Sequence, residues 1–305
     1  MSFLSKIGGI LLISMAGWGL TTQDTPLFNP HLSATNLGLG QSATASQEGI
    51  EFMLQNPASI TDQQSIAFQA SRYLGIDYNA MAFTFPIYGI NLGIHYLGAY
   101  LPNIQRSIRS DNDVIVNLDD TVPYEFHHVS VCLAKRFWGV YVGVGANYQI
   151  LRLDDRQLNA LKQFAGIQVS LLPGLTAGAS IQNFSNTPSS GNALQSPDPI
   201  TALGVSVDIS PQTRMNIAII HNKNTIATHP TLHYGISHYI TDYLPIRLGL
   251  DHNRFSAGLG FSMEPLHINV GWAQSIDAIT ENQWMMGIVY DISTTPLSKK
   301  FIQQP

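Results

Sequence analysis

Few residues in this chain could carry chemistry, and most are spaced so that they cannot act together. Glu125, His127 and His128 lie close enough to suggest a metal site. On an extended chain, however, neighbouring side chains point to opposite faces, so His127 and His128 cannot easily hold one ion. Ser, His and Asp are plentiful, but no G-x-S-x-G elbow or other nucleophile context occurs. Zinc-type spacing, a phosphate-binding glycine loop and a dinucleotide fingerprint are also missing. No catalytic residue, metal or cofactor is expected, and the chain reads as a non-enzyme. Three charges stand out instead: Arg214, Arg247 and Asp251, each on the polar phase of a segment that alternates apolar and polar. Such an arginine could hold an anionic head group such as a carboxylate. It could also pair with Glu48 or Glu51 nearer the N-terminus, which is the favoured reading.

The elements that would position these charges follow from composition and period. The chain has 305 residues, 45% hydrophobic and 11% charged. Soluble domains carry about 25% charged residues. Yet after the first 23 residues no apolar run is long enough for a membrane helix. A transmembrane barrel has such a composition, because only every second side chain meets lipid. The net charge of −5 argues against a nucleic-acid partner. The one cysteine, Cys132, rules out an internal disulfide framework.

Alternation is clearest at 140–149. Val140, Val142, Val144, Ala146 and Tyr148 share one face; Tyr141, Gly143, Gly145, Asn147 and Gln149 share the other. Period two over this length predicts a strand. About fourteen such segments can be counted from Ser65 onward, an even number as a single-chain barrel requires. Tight turns (86–89, 137–138, 173–174, 264–265) alternate with longer connections (102–123, after the fifth strand, 185–199). Long loops at one end and tight turns at the other are the habit of outer-membrane barrels. Aromatics near segment ends, such as Tyr88, Tyr100, Trp138, Tyr243 and Trp284, suit interfacial girdles.

The N-terminus reads as an export signal over 1–23, with Lys6 ahead of an apolar run. The next segment, 24–63, is polar and rich in small residues, with one short helix predicted near 46–54. Nine strand glycines fall on the predicted lumen side: Gly93, Gly143, Gly145, Gly178, Gly204, Gly249, Gly258, Gly260 and Gly271. Glycine in a strand marks close approach of another backbone. The segment 24–63 is therefore expected to fold into the lumen as a plug. The barrel would span 64–292, leaving 293–305 as a tail.

Two stretches carry a family resemblance. Gly38-Leu39-Gly40-Gln41-Ser42-Ala43 followed by Asn56-Pro57-Ala58, with Glu48 and Glu51 between, resembles the N-terminal plug motif of FadL-like and PorV/PorQ-like barrels. Residues 244–249, 255–261 and 267–273 resemble the penultimate hairpins of PorV/PorQ-type barrels. Gln55 stands where an aromatic is usual, Ser59 where glycine is usual, and the C-terminus lacks a terminal aromatic. The resemblance implies a plugged antiparallel transmembrane β-barrel in a bacterial outer membrane. FadL-like members pass hydrophobic or amphipathic small molecules without an energy source. PorV/PorQ-like members serve type IX protein secretion, so exported proteins are the alternative partners. The lipid bilayer is a partner in either case.

Overall fold

The computed structural model describes residues 33–292 apart from 48, 74–75, 110–114, 154–155, 189–198, 223–228, 253 and 277–281. The expected export signal, the first part of the plug segment, Glu48 and the tail lie outside the described residues.

Alternating segments become strands because only extended backbone sends successive side chains to opposite faces. The strands are β1 (Ser65–Tyr73), β2 (Ile76–Ile87), β3 (Ile90–Arg109), β4 (Ile115–Phe137), β5 (Val140–Leu153), β6 (Arg156–Leu172) and β7 (Leu175–Pro188). They continue as β8 (Ile200–Ser210), β9 (Thr213–Asn222), β10 (Thr231–Tyr239), β11 (Pro245–Leu250), β12 (Arg254–Met263), β13 (Leu266–Ser275) and β14 (Gln283–Asp291). Each pairs antiparallel with the next, and β14 pairs with β1, closing a fourteen-strand barrel. Closure leaves no sheet edge, the condition for backbone to cross lipid.

The two faces are inverted relative to a water-soluble barrel. Along β4, Val129, Val131 and Leu133 are exposed on the outside. Their neighbours Ser130, Cys132 and Ala134 are buried inside. Leu203, Leu248, Leu259 and Val270 continue the exposed apolar outer surface on other strands. So much contiguous apolar surface would drive association in water, but lipid solvates it.

Tight turns define one end. Tyr88-Gly89 and Trp138-Gly139 have positive φ at both residues: 49° and 75°, then 48° and 89°. That is the geometry of two-residue hairpins whose twist matches the strands. At this end Ser65 Oγ (β1) donates to Asp291 Oδ1 (β14) at 2.6 Å, across the seam. His267 Nε2 (β13) lies 3.0 Å from Asp291 Oδ2, and Ser262 Oγ (β12) lies 2.6 Å from His267 Nδ1. This serine–histidine–aspartate chain clasps four neighbouring strands where the barrel closes.

The loop end departs from expectation. The long connection expected at 102–123 is mostly strand, since β3 runs to Arg109 and β4 starts at Ile115. Pro102 and Pro123 read as breakers. A register shift between Leu101 and Ile104 loosens the ladder beside Pro102, and a proline is tolerated where pairing is interrupted. The connection after β5 is likewise reduced to residues 154–155. The result is a lopsided barrel. Strands β3 to β7 have 20, 23, 14, 17 and 14 residues. Strands β8 to β14 have 6 to 11. Crossing a bilayer needs about 9–11 residues, so the first group stands well above the second.

Candidate functional site

The lumen is crossed by residues 33–60, and the sequence dictates how. A short helix α1 (Ala34–Gly38) starts at Ser33, whose hydroxyl accepts from the Asn36 N–H at 3.1 Å. Three single 3₁₀ turns follow, Ala43–Ala45, Gly49–Phe52 and Pro57–Ser59. Only the Gly49–Phe52 turn falls in the region where a short helix was expected; glycines and prolines break the rest. The helix packs on β11 to β14, the first turn on β7 to β9, the second on β1 and β2, and the third on β4 to β6. Asn91 of β3 donates to the Ile60 carbonyl at 3.3 Å. His233 Nδ1 of β10 lies 2.8 Å from the Gly40 carbonyl oxygen. One segment therefore touches every strand of the barrel.

The wall admits it because the facing positions lack side chains. A Cβ on Gly249 would overlap the Gly40 nitrogen and the Leu39 carbonyl carbon. One on Gly143 would overlap Pro57 and Ala58, and one on Gly38 would sit 3.0 Å from the Gly258 Cα. Of the nine lumen glycines, Gly93, Gly143, Gly178, Gly204, Gly249, Gly258 and Gly271 face the segment. Gly145 instead accommodates the Phe164 ring, and Gly260 faces Asn269, Pro245 and Arg247. Gly166 and Gly235 also face the segment and were not singled out.

Polar side chains pin it. Asn56 is fully buried. Its Oδ1 accepts from the Ala58 N–H at 3.0 Å. Its Nδ2 reaches the carbonyls of Thr44 (2.8 Å), Ile167 (3.3 Å) and Ala179 (3.4 Å). The wall answers with Gln168, whose Nε2 donates to the Thr44 and Ser46 carbonyls at 3.1 and 2.9 Å. Gln182 does the same to Leu54 and Gln55 at 3.1 and 3.3 Å. Gln168, Gln182, Asn91 and His233 were missed from sequence. Their one signal was a polar residue on the inward phase of its strand.

Arg247, Asp251 and Arg214 lie on the inward phase of their segments. Arg247 is buried, and its Nη1 donates to Asn269 Oδ1 at 3.0 Å. Asn269 Nδ2 donates in turn to Glu51 Oε2 at 3.3 Å, so the link from arginine to glutamate is relayed through an amide. Glu51 also accepts from Ser33 and Thr35, which ties two parts of the segment together. Asp251 pairs with Arg254 at 2.8 Å and accepts from Gln41 at 3.3 Å. Arg214 pairs with Asp208 at 2.6 Å, half-exposed at the turn end, beside a recess of about 150 Å³ lined by Gln212 and Tyr239. The neighbouring histidines divide as the strand geometry requires. His127 points outward, its Nδ1 2.9 Å from the Tyr96 hydroxyl. His128 points inward, its Nε2 2.6 Å from Ser130 Oγ.

Above the plug, on β2 to β6, register stacks the inward side chains in levels. His95, Ser130, Asn147 and Lys162 pair in one row across β3, β4, β5 and β6. The next row holds Leu97, His128, Gln149 and Ala160. Higher still, Tyr78, Ala99, Phe126 and Leu151 align, then Leu101 and Tyr124. The upper rows pack as one apolar and aromatic cluster with Tyr73 and Ile76. The His95 and His128 rings meet edge-on at 5.9 Å. Both ring nitrogens of His95, Asn147 Oδ1 and the Tyr78 and Tyr124 hydroxyls are buried with no hydrogen-bond partner among the described residues. Lys162 is buried and makes no hydrogen bond or ion pair with the described residues. Each such buried group costs about 1–3 kcal/mol unless something satisfies it.

No family model matches the chain, and no curated protein matches it in sequence. Solved structures do. The Pseudomonas putida toluene transporter TodX superposes with a TM-score of 0.66 at 8% identity, over 85% of this chain and 97% of that one. The monoaromatic hydrocarbon channel CymD gives 0.59 at 10% identity, over 85% and 96%. A FadL homologue from Pseudomonas aeruginosa gives 0.58 at 10% identity, over 86% and 98%. At these identities the likeness is one of fold. A closed antiparallel barrel of fourteen strands, apolar outside, with these structural neighbours, is the fold of a FadL-like outer-membrane barrel.

Proposed function

We propose that the chain is an outer-membrane channel for passive passage of hydrophobic or amphipathic small molecules. One observation carries this reading: apolar and aromatic side chains line the lumen above a plug that touches every strand. A general diffusion pore keeps a wet channel; here the cross-section is crossed by packed chain. The similar solved structures are described as a toluene transporter and a hydrocarbon channel, which supports the same class of cargo. Passage would need local displacement of the plug when a ligand enters, with binding energy as the only source of work. The secretion alternative has no observation in its favour among the described residues.

The test is uptake of labelled oleate and labelled ethylbenzene by cells with an intact outer membrane, with and without the protein. A several-fold rise in initial rate is expected for at least one of them. No rise for either contradicts the reading.

A further inference from the structure

We infer that the tall wall formed by β2 to β6 binds a compact molecule with an apolar, ring-sized middle and a polar group at each end, one of them anionic. This rests on the transport reading above and names its cargo class.

At two levels of the tall wall, buried polar atoms lack partners among the described residues. The lower level holds His95 and Asn147, with Lys162 buried in the same row just above the plug. The upper level holds the Tyr78 and Tyr124 hydroxyls. Between them lie Leu97, Ala99, Phe126 and Leu151, all buried and in one apolar cluster. Along β4 the lower level sits at Ser130 and the Tyr78 level at Phe126, four residues apart by register. Four strand residues span about 13 Å.

Ligand classes differ in how many of these groups they satisfy. A plain hydrocarbon leaves both levels unsatisfied. A single-headed chain molecule satisfies one and lays its tail against the other. A ring with a carboxylate at one end and a hydroxyl at the other reaches both. The carboxylate accepts from Lys162, a buried cation with no anion beside it among the described residues. The hydroxyl meets the tyrosine hydroxyls, each of which can donate or accept. The ring lies against Phe126, already in edge contact with His128 at 6.4 Å between centroids.

The experiment uses the whole protein in lipid nanodiscs and calorimetric titration with matched probes. These are para-hydroxyhydrocinnamate (both ends), hydrocinnamate (acid only), para-ethylphenol (hydroxyl only) and ethylbenzene (neither). The two-ended probe is expected to bind at least about ten-fold tighter than either one-ended probe. In Lys162→Met its advantage over para-ethylphenol falls toward one. In the Tyr78→Phe, Tyr124→Phe double variant its advantage over hydrocinnamate falls toward one. A heat-modifiability gel shift establishes that each variant is folded. The inference is overturned if the two-ended probe binds no tighter than the others, or if its advantages survive both variants. Cellular uptake of ethylbenzene without any preference for the two-ended probe would overturn this inference while leaving the transport reading intact.

Discussion

The two sides of the barrel use the same alternation to opposite ends. Strands β8 to β14 are short, and several of their inward positions are glycine: Gly204, Gly235, Gly249, Gly258 and Gly271. Main chain packs there against main chain, with α1 and the 43–45 turn lodged in the space. Strands β3 to β7 are long, and only their lower levels hold the plug, through Gly93, Gly143, Gly166 and Gly178. Above that their inward positions carry imidazole, lysine and aromatic rings. Side-chain volume at the inward phase decides whether chain or side chains fill the lumen. Buried polar atoms without a partner among the described residues occur on both sides: at Asn216, Gln168 and Ser180 around the seat, and at His95, Asn147, Tyr78 and Tyr124 above it. On the tall wall strand register gathers them at two levels, which makes that wall the place where function is to be sought.

The contrast makes opposite expectations for stability. The largest effect belongs to the seat. In Gly249→Leu the new side chain would meet the Gly40 and Leu39 backbone, which cannot rotate away. Loss of the heat-modifiable form, or at least about 3 kcal/mol of destabilisation in urea unfolding from micelles, is expected. A variant as stable as the parent would show that the plug is not seated there. The smaller effect belongs to the tall wall. Lys162→Met keeps an apolar stem and removes a buried cation that has no partner among the described residues, so stability should stay level or rise by about 1 kcal/mol. A loss of similar size in the same unfolding measurement would mean that Lys162 serves the fold rather than a ligand.

Much of this architecture was legible because it repeats with a local period. The alternation at 140–149 needed no partner strand to be seen, and it falls wholly within β5. The glycine parity was legible for the same reason. What stayed hidden depends on pairing between distant strands. Pro102 looked like a loop signal because its bulge exists only against β4. Gln168 and Gln182 looked like ordinary inward polar residues until the plug carbonyls came within reach. His95, Ser130, Asn147 and Lys162 are unremarkable one by one and lie far apart in the chain. Only the registers of three strand pairs bring them to one level. The relay from Arg247 to Glu51 shows the same limit, since the bridging Asn269 comes from another strand.

Everything functional here depends on the lumen being closed by residues 33–60. Single-channel recording in planar bilayers at molar salt tests that closure most directly. The intact protein should show no sustained conductance, and a variant lacking 33–60 should open a steady ohmic pore. A steady porin-sized conductance from the intact protein would contradict the account.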